Sequence, residues 1–413
     1  MAFLHGVEVV EINNGPRPIR TVRSSVVGLI GTAPEADPER FPLNFPVLVA
    51  GRRSDMAGIG STGTLPAALD DIFDQAGALI VVVRVSDGIT QPSDGYGGAV
   101  DPSDTFDGEE YIPPPSEALN EVIGGVDNDT GQYLGVYAFL AAQSEVHVTP
   151  RVLIAPEFSH NAAVANEMLT VAERLRAVVI ADGPNTNDIE AIHYREQFGS
   201  PRLYIVDPWV RVWNTAIGAE VIRPVSARVA GLIAKSDAEF GFWRSPSNQE
   251  LRGILGPVRS IDFTLGDPNA RANILNENEV ATVIQETGYR LWGNRTCSDD
   301  QKWAFLSVRR TADMVNESIL QGHLWAVDRT ISKTYVEDVL EGVNAYLRSL
   351  RTRGAIINGQ AWIDAEFNTP ADIASGKVTF SFDFTPPPPA EHIVFRSEVV
   401  NGYLTEVIPL PAN

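Results

Sequence analysis

Residues 78–85, Ala-Leu-Ile-Val-Val-Val-Arg-Val, form a nearly unbroken apolar run rich in valine. A strand with one wet face alternates apolar and polar residues. An unbroken run therefore belongs to a strand covered on both sides, and helices must supply the cover. Just upstream, Thr64-Leu65-Pro66 opens a short helix. Thr64 is placed to cap it, and Pro66 suits a first turn, where a missing N–H costs nothing. Leu69, Ile72 and Phe73 fall on one face, and Gly77 ends the helix. Residues 26–32 and 46–50 read as strands before it. The rhythm resumes after Pro150, with strands at 152–155, 177–182 and 203–206 and helices at 162–176 and 188–198. Buried strand alternating with helix predicts an α/β layered sheet.

Between Arg84 and Arg151 the rhythm breaks. This stretch holds no Lys or Arg, while Asp94, Asp101, Asp104, Asp107, Glu109, Glu110, Glu117, Glu121, Asp127 and Asp129 accumulate around Pro113-Pro114-Pro115. A segment of one charge sign reads as a solvated outer face, and the whole stretch as a surface insertion. From about Leu291 the pattern changes again. Val336, Val339, Leu340, Val343, Leu347 and Leu350 recur at helical spacing and predict one long helix over 333–353. Val378, Phe380, Phe382 and Phe384 then alternate with Thr379, Ser381, Asp383 and Thr385, predicting a strand with one buried face. Runs at 394–400 and 403–408 flank Asn401-Gly402. They read as two further strands, either a local hairpin or free to pair elsewhere.

Composition narrows the function classes. A formal net charge of −21 argues against nucleic-acid or anionic-membrane binding over the bulk of the surface. No apolar run is long enough to cross a bilayer, and the N-terminus shows no basic region followed by an apolar stretch. The single cysteine, Cys297, excludes an internal disulfide and reads as a buried thiol. Gly58-Ile59-Gly60-Ser61-Thr62-Gly63 matches a dinucleotide-binding pattern. Residues 51–57 separate it from the preceding strand, however, and no P-loop lysine follows, so a surface loop is the better reading. Asp127-Asn128-Asp129-Thr130-Gly131 lacks the distal glutamate of a calcium loop and reads as an Asx turn. No zinc-ligand spacing is present, and Trp292, Trp303 and Trp325 read as core or interface residues.

Three blocks in the C-terminal third fit no catalytic constellation. Trp292-Gly293-Asn294-Arg295-Thr296 leads into Trp303-Ala304-Phe305-Leu306-Ser307-Val308-Arg309-Arg310-Thr311, and Phe384-Thr385-Pro386-Pro387-Pro388-Pro389-Ala390-Glu391-His392-Ile393 closes the series. With His5-Gly6-Val7-Glu8-Val9 and Ala230-Gly231-Leu232-Ile233-Ala234, they give a chain that resembles the contractile tail sheath proteins of myophages and R-type tailocins. The resemblance runs from residue 5 to the last strand.

That resemblance implies a fold class: an α/β central domain with a subtilisin-like layered sheet (21–85 and 150–285), an inserted acidic domain (86–149) and an α+β C-terminal domain (286–397). Extended arms would occupy 1–20 and 398–413. It implies no enzyme, cofactor or metal. Asp182-Gly183 sits where subtilisin-like folds carry an aspartate, but neither a His-Gly-Thr nor a Gly-Thr-Ser block follows His193, so the triad is missing. The implied partners are other copies of the chain in stacked hexameric rings, the inner tail tube, and the baseplate and tail terminator proteins. Nucleic acid and membrane insertion are not among them. The particle would be a virion tail or tailocin assembled in the host cytoplasm, and its subunits would contract to drive the tube through a target envelope. By position, Val7, Glu8, Val9 and Val10 at one end and Tyr403, Leu404, Thr405, Glu406 and Val407 at the other would be arm strands shared between subunits. Arg348, Arg351 and Arg353 cluster at the end of the long helix, where the helix dipole alone accounts for them; the resemblance implies that they face the tube. Two alternatives stand beside this reading: a nucleotide-binding α/β enzyme using the Gly58–Gly63 loop, and a non-contractile lattice protein of similar fold.

Overall fold

The computed structural model of the 413-residue chain describes residues 18–88 and 116–407. It begins with β1 (Val27–Thr32), β2 (Pro46–Ala50), α1 (Thr64–Phe73) and β3 (Leu79–Val85). Next come α2 (Ser116–Ile123), a small hairpin of β4 (Gly125–Val126) and β5 (Tyr133–Leu134), and α3 (Ala142–Glu145). The alternating part follows: β6 (Val152–Ile154), α4 (Ala162–Leu175), β7 (Val178–Asp182), α5 (Asp188–Arg195) and β8 (Leu203–Val206). Beyond it lie β9 (Val210–Asn214), β10 (Ala219–Arg223), α6 (Ser226–Glu239), β11 (Gly256–Pro257), α7 (Arg271–Glu277), β12 (Val280–Gln285) and β13 (Tyr289–Trp292). The C-terminal part has α8 (Leu306–Gly322), α9 (Lys333–Thr352), β14 (Gly359–Ile363), α10 (Pro370–Ala374) and β15 (Phe380–Phe384).

Eight strands make the main sheet, in the order β13-β12-β8-β7-β6-β1-β3-β2. The inner neighbours are parallel, and antiparallel β13 and β2 close the two edges. Strand β3 shows why its sequence is unbroken. Val81, Val83 and Val85 enter one hydrophobic cluster with α2 and α4, while Ile80 and Val82 enter the opposite cluster with α1 and α6. Helices α1 and α6 approach closely at Gly231, where a Cβ would lie 2.6 Å from the Ile72 carbonyl oxygen. That contact gives the Ala230-Gly231-Leu232 block a packing role. The sheet continues to Trp292, because β13 pairs with β12.

Three expectations need correction. Thr64 does not cap α1. Gly63 precedes the helix at φ 85°, and Thr64 ties helix to strand: its Oγ1 accepts the Thr32 N–H (3.1 Å) while its own N–H donates to Thr32 Oγ1 (3.3 Å). The stretch 116–149 is not a surface insertion. Ala118, Val122, Val136, Phe139 and Ala142 are fully buried in the cluster beneath the main sheet, while polar positions such as Glu117 and Glu121 stay exposed. Residues 89–115 of the expected insertion (86–149) lie outside the described residues. Finally, Gly402–Val407 is a 3-10 turn, and residues 394–400 carry no regular structure, so the Asn401-Gly402 hairpin does not form. Both runs stand off the body, and a strand without a neighbour has nothing to satisfy its N–H and C=O groups.

The C-terminal domain has its own core of Phe242, Met314, Val315, Val343, Tyr346, Leu347, Leu350, Ala355 and Ile356. The long helix spans the expected length, and Ser332 caps it by accepting the Tyr335 N–H. Buried ion pairs lock α8 to the central domain. Arg310 reaches Asp237 at 2.6 Å, and Asp313 holds both Arg202 and Arg309. A small sheet of β10-β9-β11 was not anticipated, although Val210 and Val212 alternate with Arg211 and Trp213 as a half-buried strand requires.

Candidate assembly surfaces

The places where an α/β fold would carry chemistry are closed here. In the Gly58–Gly63 loop, Gly58, Gly60 and Gly63 all adopt positive φ. The anion position is already taken by the chain itself: Glu35 Oε2 accepts both the N–H and the hydroxyl of Ser61 at 3.0 and 2.9 Å. Those bonds hold the Glu35 carboxyl below its usual range. A phosphate entering this loop would meet a carboxylate. At the end of β7, fully buried Asp182 accepts the Ser226 N–H and the Ser159 and Ser226 hydroxyls at 2.8, 3.1 and 2.5 Å. His193 stands exposed on α5, so no triad assembles. Among the described residues no group of His, Cys, Asp and Glu could hold a metal. Asp127 closes the expected Asx turn by accepting the Asp129 and Thr130 N–H groups at 2.8 and 3.1 Å. Cys297 is fully buried and burial pushes its thiol up to about 12, which leaves it inert at neutral pH.

The buried carboxylates at these strand ends govern stability instead. Burial, reinforced by nearby Asp182, raises Glu157 to about 7; burial also raises Asp182 and Asp207 to about 6 each. A raised acid binds its proton more tightly in the folded state. Its stabilising contribution is complete below the unfolded pKa, here 4.5 for Glu157, and is lost as pH rises through about 7. Glu157→Gln should therefore match the wild type near pH 4.5 and exceed it by on the order of 2 kcal/mol at pH 8. Urea unfolding at the two pH values reads this directly. A gap that does not widen with pH would show that Glu157 ionises freely.

The features that remain are surfaces. Residues 386–400 leave β15 without regular structure, held by a two-pronged ion pair of Arg295 with Glu391 (2.6 and 2.8 Å). Past that anchor the chain presents Phe395 at 89%, Val399 at 98%, Tyr403 at 70% and Val407 at 77% exposure, with Ile393, Val394 and Leu404 also exposed. Thr405 and Glu406 lie within the 3-10 turn. The N-terminal residues Val7, Glu8, Val9 and Val10 fall outside the described residues. The described chain starts against α8 and α9, with Ile19 on Gly322, the Val22 N–H donating to Ser318 Oγ (3.0 Å) and Thr21 beside the Tyr346 hydroxyl.

The three arginines at the end of α9 and just past it do not converge on one spot. All are exposed, but Arg348 pairs with Glu341 at 2.5 Å, and Arg353 turns toward the N-terminal segment over the Trp243 ring (5.3 Å). Arg351 reaches only Asn358, at 3.5 Å, and has no carboxylate partner among the described residues.

Comparison with known proteins accounts for this pattern of closed clefts and open surfaces. The chain matches the Gp18 tail sheath domain III N-terminal region over residues 24–85, the phage tail sheath central domain over 130–297 and the phage tail sheath C-terminal domain over 298–400. A putative prophage major tail sheath protein of Pseudomonas aeruginosa (strain UCBPP-PA14) is 43% identical over 409 residues, 99% of each chain. The chain belongs to the phage tail sheath family. The tail sheath protein of Escherichia phage P2 is 36% identical over 98% of each chain. The sheath subunit also shares its mixed α/β fold with solved contractile assemblies. A chain of the anti-feeding prophage baseplate superposes with a TM-score of 0.66 at 18% identity, covering 97% of this chain and 100% of its own. A chain of the contracted sheath complex of an extracellular contractile injection system, PVC, gives 0.67 at 16%, covering 97% and 99%. The subunit is thus a structural tail sheath protein and not an enzyme.

Proposed function

We propose that the subunit polymerises around an inner tail tube as a helical stack of hexameric rings, and that the stack contracts to drive the tube through a target envelope. One observation carries the reading most directly. Between Ile393 and Val407 the chain exposes eight large apolar side chains that its own globule does not cover. Contiguous apolar surface of this kind marks an interaction site, and other copies of the chain are the partner this family implies. Tyr403, Leu404, Thr405, Glu406 and Val407 would leave their 3-10 turn and join a neighbour's sheet as a strand. Val7, Glu8, Val9 and Val10 would do the same from the other end. The acceptor is the two-stranded β14–β15 sheet of the C-terminal domain, too small to be stable without added strands or the helix beneath it.

The central domain would keep a subtilisin-like layering without the catalytic residues, and would move as a rigid body while the arms keep neighbours linked. Interface free energy then drives contraction, with no nucleotide. Baseplate and tail terminator proteins would bound the stack, and assembly would take place in the host cytoplasm as part of a virion tail or tailocin. Negative-stain microscopy of purified subunits tests the reading: hollow tubes support it, and monomers that never polymerise at any concentration defeat it.

Arg348 and Arg351 would meet acidic groups on the tube. Exposed contacts of this kind are individually weak and screened by salt, which suits a bond that must be released. Arg348→Glu together with Arg351→Glu should cut tube co-sedimentation by about tenfold, a loss of about 1.4 kcal/mol, while tube-free polymerisation is unchanged. Full co-sedimentation of the double variant would remove these arginines from the tube contact.

A further inference from the structure

The C-terminal sheet has two edges, and α9 occupies one of them. The Asn344 side-chain amide donates to the Ala361 carbonyl at 3.1 Å and accepts the Ala361 N–H at 2.9 Å. An amide carries one acceptor and a donor group in a plane, so it reproduces one rung of a neighbouring strand. In an antiparallel pair each residue turns its N–H and C=O to the same side, and successive residues turn to opposite sides. Ala361 spends both groups on α9, so the Ala361–Phe382 pair is a non-hydrogen-bonded one, and Phe382 must point its own groups away from β14. Phe380 and Phe384, two residues to either side, point the same way.

The intervening residues support this parity. Thr379 exchanges bonds with the Asn368 amide (2.8 and 2.9 Å), which continues the line of β14. Thr385 accepts the Ile357 N–H and donates to the Asn358 carbonyl (2.8 and 3.0 Å). Among the described residues no third strand pairs with β15. Its outer edge therefore offers the N–H and C=O groups of Phe380, Phe382 and Phe384, whose half-buried rings leave apolar surface for an added strand to cover.

We propose that Asn344 closes β14 to strand addition, so that an arm from another copy joins this sheet only along β15. The inference rests on the arm-exchange reading above and adds its direction: the sheet grows away from α9, and a second arm can enter only beside the first. Without the plug, β14 would present a competing edge, and an arm bound there would point to a different neighbour.

Hydrogen exchange on the full-length protein, read at single amides before and after polymerisation, tests this. Phe380, Phe382 and Phe384 should slow by at least about tenfold on polymerisation, while Ala361 stays slow throughout. New protection at Gly359 and Ile363 instead would overturn the edge assignment and leave arm exchange standing. Regular tubes with no new protection on either strand would overturn arm exchange itself. Asn344→Ala should speed exchange at Ala361 about tenfold in unassembled subunits, and should yield irregular polymers with new protection on β14. Regular Asn344→Ala tubes protected only on β15 would show that Asn344 does not direct the arm. Should that variant fail to fold, the wild-type exchange pattern still decides the edge.

Discussion

A subunit lacking residues 393–413 should fold with unchanged stability and form no tubes. Among the described residues none of the three hydrophobic clusters, with the side chains packed against them, extends beyond Phe384, and Glu391, the last ion-paired anchor, is retained. Residues 393–407 turn their apolar side chains to solvent, so losing the stretch should change the unfolding free energy by less than about 0.5 kcal/mol and improve solubility. Assembly is a different matter. If the arm supplies backbone rungs to a neighbour, each subunit loses its hydrogen-bonded strand link to the next, and polymerisation should fall below detection. Deleting the first twelve residues should have the same outcome from the other end. Sedimentation velocity and negative-stain microscopy at matched concentration provide the measurement. Normal tubes from either truncation would end the arm reading.

Asp313→Ala should be the most destabilising substitution in the C-terminal half. Asp313 is 1% exposed and accepts two arginines: Arg202 at 2.6 and 3.0 Å, and Arg309 at 2.8 and 3.2 Å. Arg202 also donates to the Ala177 carbonyl at 3.0 Å and reaches Glu173 at 3.0 Å, so this one cluster joins the start of β8 to α8. Removing the carboxylate leaves two guanidiniums side by side in a dry site, with only the mostly exposed Glu173 in compensation. Truncating one partner of a buried pair typically costs about 3–5 kcal/mol, chiefly because the remaining charge stays desolvated. Asp313→Asn keeps the shape and should lose about half as much. Guanidinium titrations of both variants measure the difference, and a loss below about 1 kcal/mol for alanine would mean that water reaches the site. The same cluster ties α8 to the start of β8 in the main sheet.

The largest departure from the sequence reading lies in 116–149. Its Gly, Asp and Glu content indicates surface, yet Val122, Val136 and Phe139 plug the underside of the sheet. The apolar residues fall in two short groups, 118–123 and 133–142, separated by a polar Gly- and Asp-rich hairpin, and each group alone is too short to show that it is buried. The Asn401-Gly402 pair fails for a related reason. It favours a hairpin, but two flanking runs exposed to solvent gain too little from pairing only with each other.

What the sequence determined by itself was whatever repeats within a few residues: the unbroken valine run of β3, the amphipathic stripe of α9, the phenylalanine alternation of β15, and the absence of any complete catalytic or metal motif. These follow from side-chain period and local backbone chemistry, which act over one or two turns. What only the tertiary structure decided was every contact between distant positions. Glu35 fills the glycine loop, Asp313 gathers Arg202 from 111 residues away, and Asn344 closes the edge of β14. Such pairings depend on how the layers stack, and a buried charge or an unpaired strand edge has meaning only once a neighbour has been brought to it.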